Sequence, residues 1–144
     1  LTAQRYALDA VQLHGHESPA VCAALRKEVA VIKAFTAGPD LFNSTVAAYA
    51  DTCTWFLFDA PGTQRGGNGT TFPWTRLARY TGSTPFLLAG GIAPEHAEVL
   101  QRFQHPAFRG IDINSRFETA PGVKDLPRVA AFIQALNTPI PTCP

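Results

Sequence analysis

The sequence predicts an α/β fold in which βα units repeat around a parallel sheet. Three observations carry that expectation. Five short runs are nearly continuous in apolar residues: Ala10-Val11-Gln12-Leu13, Val29-Ala30-Val31-Ile32, Trp55-Phe56-Leu57-Phe58, Phe86-Leu87-Leu88 and Gly110-Ile111-Asp112-Ile113. That is the pattern of strands buried on both faces. Stretches with helix signals separate them, and each run gives way to glycine or polar residues. Right-handed crossovers place the carboxyl ends of all such strands on one rim. A doubly wound open sheet and a (β/α)8 barrel both satisfy this pattern. No GxGxxG follows a strand, which weakens the dinucleotide-binding version of the open sheet.

The elements follow in order. Ala10–Leu13 leads into His14-Gly15, after which Ser18-Pro19 reads as an N-cap with proline at the first helical position, opening a helix through Val21, Cys22 and Leu25. The second strand ends at Lys33. Residues 42–49 and 75–80 are weaker helix candidates flanking the third strand, which ends at Asp59. The fourth strand runs into Ala89-Gly90-Gly91, and Pro94 opens a helix whose Val99, Leu100 and Phe103 recur at three- and four-residue steps. The fifth ends in Asn114-Ser115. Asp125 caps a last helix to Leu136, striped by Val129, Phe132, Ile133 and Leu136. These units make one domain over residues 1–136, followed by a proline-rich tail over 137–144.

Composition narrows the function classes. The chain has 144 residues, of which 46% are hydrophobic and 16% charged, against roughly 25% charged in an average soluble domain. Twelve Lys and Arg against eleven Asp and Glu leave a net charge of +1, with no basic cluster to hold nucleic acid. No apolar run approaches the roughly 18–20 residues needed to cross a bilayer, and no amino-terminal signal segment is visible. Three widely spaced cysteines, Cys22, Cys53 and Cys143, form no CxxC, which fits free thiols in a reducing cytoplasm and neither a zinc knuckle nor a redox pair. The triplets beginning at Asn43 and Asn68 match a glycosylation acceptor, but with no secretory signal visible the expectation is that they are unmodified.

Several rim residues carry candidate chemistry. His14 ends the first strand, and alternation gives it the same face as Gln12. A strand-terminal histidine serves either a structural hydrogen bond or a substrate contact, and the residues alone leave both open; His16, His96 and His105 read as solvated. Asp59 directly follows four apolar residues. Desolvation of that kind disfavours the charged carboxylate and suits a general acid, whereas hydrogen bonds from loop amides would make it structural. Gly66-Gly67-Asn68-Gly69 offers backbone amides to an anion, though such a loop is more often a flexible connection. Gly90-Gly91, between a strand and the Pro94 helix, is a stronger anion site, joined by Asn114-Ser115-Arg116 in the next unit. The last two loops of phosphate-binding barrels hold the phosphate together.

Five ordered motifs then meet a family. Val11-Gln12-Leu13-His14-Gly15, Phe56-Leu57-Phe58-Asp59, the Gly66-Gly67-x-Gly69-x-x-Phe72-x-Trp74 stretch, Leu88-Ala89-Gly90-Gly91-Ile92 and the run from Asp112 through Asn114-Ser115-Arg116-Phe117-Glu118 to Pro121-Gly122-x-Lys124-Asp125 resemble N-(5′-phosphoribosyl)anthranilate isomerases. The resemblance spans residues 10–136 and implies a partial (β/α)8 TIM barrel, with about five parallel strands and intervening helices. It implies an Amadori isomerisation in tryptophan biosynthesis, in the cytoplasm, with no metal or organic cofactor. Asp59 matches the family's general acid, which protonates the ring oxygen of phosphoribosylanthranilate. His14 and Asp112 match the lining of the substrate site, and Gly67, Gly90, Gly91 and Ser115 match the loops around the phosphate. Arg116 departs from the small residue usual there, and either reinforces the anion site or pairs with Glu118.

The family's general base is a cysteine in a first-strand Lys-Ile-Cys-Gly motif, and none of Cys22, Cys53 and Cys143 matches it. The resemblance therefore implies that the first three strands lie outside this sequence, that a segment supplying them is the expected partner, and that these residues alone are inactive. It also implies two apolar sheet edges. Two other readings stand beside it. Another phosphate-binding barrel, such as indole-3-glycerol-phosphate synthase, would need a catalytic lysine, for which Lys33 at a strand end is the candidate; a pairing of Lys33 with a carboxylate inside the barrel is the simpler role. A non-catalytic half-barrel that binds phosphate or assembles with a complementary fragment is the other.

Overall fold

The computed structural model describes residues 2–37, 44–59, 77 and 79–139. The chain runs α1 (Thr2–Arg5), β1 (Ala10–Leu13), α2 (Pro19–Arg26), β2 (Ala30–Thr36), α3 (Ser44–Ala47), β3 (Trp55–Asp59), β4 (Phe86–Ala89), α4 (Ala97–Arg102), β5 (Phe108–Ile111), β6 (Glu118–Ala120), β7 (Val123–Lys124) and α5 (Leu126–Asn137). Strands β1 to β5 form one sheet in sequence order, every neighbouring pair parallel. That order separates the two architectures the sequence left open. A doubly wound sheet reverses direction part-way, which puts helices on both faces. Here the order never reverses, so successive crossovers cover one face and leave the other as an arc of barrel wall.

Burial follows the same division. Val31, Phe35, Phe56, Phe58, Phe86 and Leu88 point to the covered face and pack with Cys22 of α2, Val46 of α3, Leu100 of α4 and Phe132 of α5. The opposite face holds a small cluster of Ala34, Leu57 and Ala89, bordered by Ile32 and Leu87. The strand period of two makes this separation from nearly continuous apolar runs. The edges lie at β1 and β5, whose burial alternates or is partial, in contrast to the fully flanked β3.

Helix ends behave largely as the sequence signals. Ser18 Oγ accepts from Val21 N at 3.4 Å, with Pro19 first in α2, and Asp125 Oδ1 accepts from Arg128 N at 3.1 Å. The helix expected from Pro94 starts as a 3₁₀ turn, Pro94–His96, and becomes α-helical only at Ala97. Helix α5 extends through Asn137, one residue into the stretch read as a tail; residues 140–144, with Cys143, lie outside the described residues. Half of the 75–80 helix candidate and both glycosylation-like asparagines lie outside them too.

Two expectations are corrected. Lys33 does not end its strand but stands in the middle of β2, which continues through Ala34-Phe35-Thr36. It is 3% exposed and shares the helix-covered face with Val31 and Phe35, not the inside of the arc. His105 is not solvated either. Its Nδ1 accepts from Ala107 N at 3.1 Å, which leaves Nε2 to donate to the Tyr80 carbonyl at 2.8 Å. The ring is a brace between the loop before β4 and the start of β5.

Candidate active site

The carboxyl ends of the strands surround a cleft of about 260 Å³. From β1 it receives Gln12 and His14, from β3 Leu57 and Asp59, from β4 and its loop Ala89, Gly90 and Gly91, and from the β5 loop Asp112, Asn114, Ser115 and Arg116. Each arrives by alternation: Gln12 with His14, Leu57 with Asp59, and Asp112 with Asn114 are pairs two residues apart. Six residues singled out from the sequence, His14, Asp59, Gly90, Gly91, Asp112 and Ser115, thus share one cleft. Gly67 lies outside the described residues.

Register fixes their height. Asp59 pairs with Thr36 on one side and Ala89 on the other, so its carboxylate stands level with the start of the Gly90-Gly91 turn. Its backbone carbonyl accepts from Ala37 N at 2.8 Å, which anchors the strand end. Phe56 and Phe58 point to the opposite face, so of the apolar run only Leu57 shares the cleft with Asp59. The side chain consequently keeps 33% of its surface exposed, and His14 Nε2 stands 3.7 Å from its Oδ2.

The β4 loop makes its turn with two consecutive left-handed residues, Gly90 at φ 82° and Gly91 at φ 61°. A Cβ on Gly91 would meet nothing within 4 Å, so backbone conformation, not lack of space, demands glycine there. The following helix start is partly spoken for: His96, expected in solvent, accepts from Ala93 N through Nδ1 at 3.0 Å. Across the cleft, Asp112 N donates to Leu88 O at 2.7 Å, tying the β5 loop to β4. Ser115 opens a 3₁₀ turn, Ser115–Phe117, seated by the fully buried Phe117 ring against Phe132.

The β6–β7 hairpin, which the sequence reading did not foresee, supports this loop from behind. Lys124 Nζ donates to Asn114 Oδ1 at 2.6 Å and to Glu118 Oε1 at 2.8 Å, and the hydrogen bond from Lys124 holds the Glu118 carboxyl below its ordinary range. Glu118 is engaged by Lys124, while Arg116 lines the cleft and its backbone carbonyl is held by Arg128 Nη1 at 3.2 Å. Asn114, read from the sequence with Ser115 and Arg116 as part of the anion site, lines the cleft two residues after Asp112.

The comparisons with known proteins agree with this geometry. A profile of the N-(5'phosphoribosyl)anthranilate (PRA) isomerase family matches residues 2–135. The chain belongs to the phosphoribosylanthranilate isomerase family. It is 45% identical over 138 residues to N-(5'-phosphoribosyl)anthranilate isomerase of Parabacteroides distasonis, covering 95% of this chain and 62% of that protein. The enzyme of the same name from Phocaeicola vulgatus is 42% identical, covering 97% and 69%. Among solved structures, the phosphoribosyl anthranilate isomerase of Thermotoga maritima superimposes with a TM-score of 0.74 at 28% identity, over 93% of this chain and 64% of that one. Another isomerase structure, in complex with reduced 1-(o-carboxyphenylamino)-1-deoxyribulose 5-phosphate, gives 0.73 at 26% identity over 93% and 62%. The chain thus spans somewhat less than two thirds of the Parabacteroides isomerase.

Family membership agrees with the architecture: the five-stranded sheet is an arc of a TIM-barrel wall. Lys33, the residue a synthase reading would need, is not in the cleft. Its ammonium is engaged by the carbonyls of Leu13, Gly15 and Ala34 and by Glu17. Cys22 and Cys53 are buried in the helix-covered core, away from Asp59. Among the described residues there is no group of three or more His, Cys, Asp or Glu arranged to hold a metal ion. No helix of the described residues is long and apolar enough to cross a membrane.

Proposed function

We propose that this chain carries the acid and the phosphate grip of a cytoplasmic phosphoribosylanthranilate isomerase, acting in tryptophan biosynthesis without metal or organic cofactor. The observation that carries the reading is the shared cleft: the Asp59 carboxyl and the Gly90, Gly91 and Ser115 loops meet at one end of one sheet. In this reading the protonated Asp59 gives its proton to the ribose ring oxygen as the C1–O bond breaks. The anilino nitrogen lone pair then forms the C1=N bond. Loss of the C2 proton to a base and tautomerisation complete the aminoketose, 1-(2-carboxyphenylamino)-1-deoxyribulose 5-phosphate. Acid and base each contribute roughly 10²–10⁴-fold.

The other residues take supporting parts. His14 and Asp112 line the sugar and anthranilate end of the cleft. Left-handed glycines at 90 and 91 turn backbone amides toward the phosphate, Ser115 adds its hydroxyl or amide, and Arg116 supplies the positive charge. The phosphate assignment of Gly67 rests on the motif alone. The base belongs to the Lys-Ile-Cys-Gly motif of the family's first strand, which these 144 residues do not contain. A segment supplying that motif is the expected partner.

The test is binding and turnover measured side by side. The chain is expected to bind reduced 1-(o-carboxyphenylamino)-1-deoxyribulose 5-phosphate saturably by calorimetry, in competition with inorganic phosphate. Turnover of phosphoribosylanthranilate is expected only when a segment bearing the first-strand motif is added, and Asp59→Asn should then lower it by about 10²–10⁴-fold. Failure to bind the analogue, or full turnover by Asp59→Asn in the completed protein, overturns the reading.

A further inference from the structure

We infer that Lys33, acting with Glu17, is a positioning residue that sets His14 against Asp59 at the cleft; this rests on the isomerase reading above. Lys33 is the one charged side chain in the buried core of the described residues, at 3% exposure. Its stem lies on the helix-covered face, with the ammonium 5.6 Å from the Phe35 ring centroid. The ammonium leaves that face by hydrogen-bonding at its far end. It donates to Gly15 O at 2.8 Å and Leu13 O at 3.3 Å, the two carbonyls that flank His14, and also to Ala34 O at 3.3 Å. Its ion-pair partner is Glu17 Oε2 at 3.1 Å.

Glu17 closes the same ring of contacts. Its carboxylate accepts from Gly15 N at 3.1 and 3.3 Å, and its carbonyl accepts from Tyr49 Oη at 2.9 Å. A Cβ at Gly15 would stand 2.8 Å from Glu17 Oε1, so a larger residue there would displace the carboxylate from its present place on that amide. The peptide groups on both sides of His14 are therefore fixed from outside the cleft. The imidazole itself is held by little: its side chain is 56% exposed and its ion-pair contact is Asp59 at 3.7 Å. With more than half of the ring exposed, the fixed backbone carries much of the task of orienting it. Burying an ammonium is costly and seldom adds net stability over an apolar side chain, so a purely stabilising Lys33 is a poor explanation of this arrangement. Fixing the direction of a site residue explains why its bonds converge on these two carbonyls.

The test uses Lys33→Met, and Glu17→Gln as the milder change that keeps the shape of the pair. In the unaltered chain, Asp59→Asn is expected to move the His14 Cε1–Hε1 resonance, because the carboxylate is adjacent. In Lys33→Met and Glu17→Gln that response should fall at least about threefold, while affinity for the reduced product analogue drops about tenfold, the equivalent of one polar contact. Affinity for inorganic phosphate should stay within about twofold, since that site lies on the β4 and β5 loops. Folded variants that keep the full His14 response overturn the assignment, and so does failure of both variants to fold, which would make the pair structural only. Absence of phosphate and analogue binding in the unaltered chain would instead sink the isomerase reading, leaving the His14 resonance to decide the positioning role by itself.

Discussion

On its helix-covered face the sheet carries Val31, Phe35, Phe56, Phe58, Phe86 and Leu88; on its cleft face the same strands carry Ile32, Ala34, Leu57, Leu87 and Ala89. The first set is dominated by rings that meet edge-on or tilted, Phe35 with Phe56 at 5.2 Å and Phe58 with Phe86 at 5.1 Å. The second is mostly small and aliphatic and ends in the polar rim. Large rings close the space between sheet and helices, where dense packing stabilises the fold. Small residues keep the arc open so that Asp59, His14 and the glycine turn can approach one ligand. One strand therefore serves both tasks: Phe56 and Phe58 stabilise the fold while Asp59, from the same five-residue strand, faces the cleft.

The strongest way to break this contrast is Phe86→Ala. The ring is fully buried and packs near His105 at 5.0 Å, Tyr80 at 5.6 Å and Phe108 at 5.9 Å. Its removal should cost about 3–5 kcal/mol, a large fraction of a small domain's stability. Asp59→Asn, at the half-exposed rim, should stay within about 1 kcal/mol of the unaltered chain. Denaturant titration of both variants checks the pair of values, and equal destabilisation would erase the division between the faces.

The fold was legible because each strand announces itself by composition and because alternation is a local rule. His14, Asp59, Gly90, Gly91 and Ser115 were legible for the same reason: a residue just past a buried strand has to sit on the rim, whereas Asp112, read as part of the fifth apolar run, was reached only through the family resemblance. What was lost is what depends on distant partners. Lys33 looked like a strand end because a charge interrupts an apolar run, and the carbonyl that accepts its hydrogen bond, Gly15 O, is 18 residues away. His105 looked solvated because its acceptor, the Tyr80 carbonyl, is 25 residues earlier. The β6–β7 hairpin has too short a run to show period two; its mark in the sequence was the Pro121-Gly122 pair, where the structure puts Gly122 at φ 79°. Asp59's apolar neighbours were read from the sequence without the alternation that sends two of them to the other face.

A smaller effect sharpens the cleft side alone. Arg116 is exposed and is one of the residues lining the cleft, so Arg116→Ala should leave stability within about 0.5 kcal/mol. Affinity for inorganic phosphate should fall about tenfold, as expected for one charge-assisted hydrogen bond. The variant's binding should also lose part of its salt dependence, because the exposed charge is screened. Calorimetry at two ionic strengths measures both quantities. Unchanged phosphate affinity would exclude Arg116 from the proposed anion site and leave the proposal resting on backbone amides.

The least visible effect belongs to the covered face. Burial, and then the neighbouring Cys53, push the Cys22 thiol up to about 11. Near pH 8 the reactive thiolate is therefore scarce, and the sulfur is fully shielded by α2 and the sheet. Cys53 is 2% exposed and its Sγ lies 3.6 Å from Thr52 Oγ1. Both should resist iodoacetamide in the native chain and react once denaturant is added, read peptide by peptide by mass spectrometry. Phe86→Ala should expose them, whereas Asp59→Asn and Arg116→Ala should not, since neither rim residue touches the helix-covered core. Rapid native alkylation of Cys22 would mean that the covered face opens as readily as the cleft, and the contrast between the two faces would then be one of residue size rather than of stability.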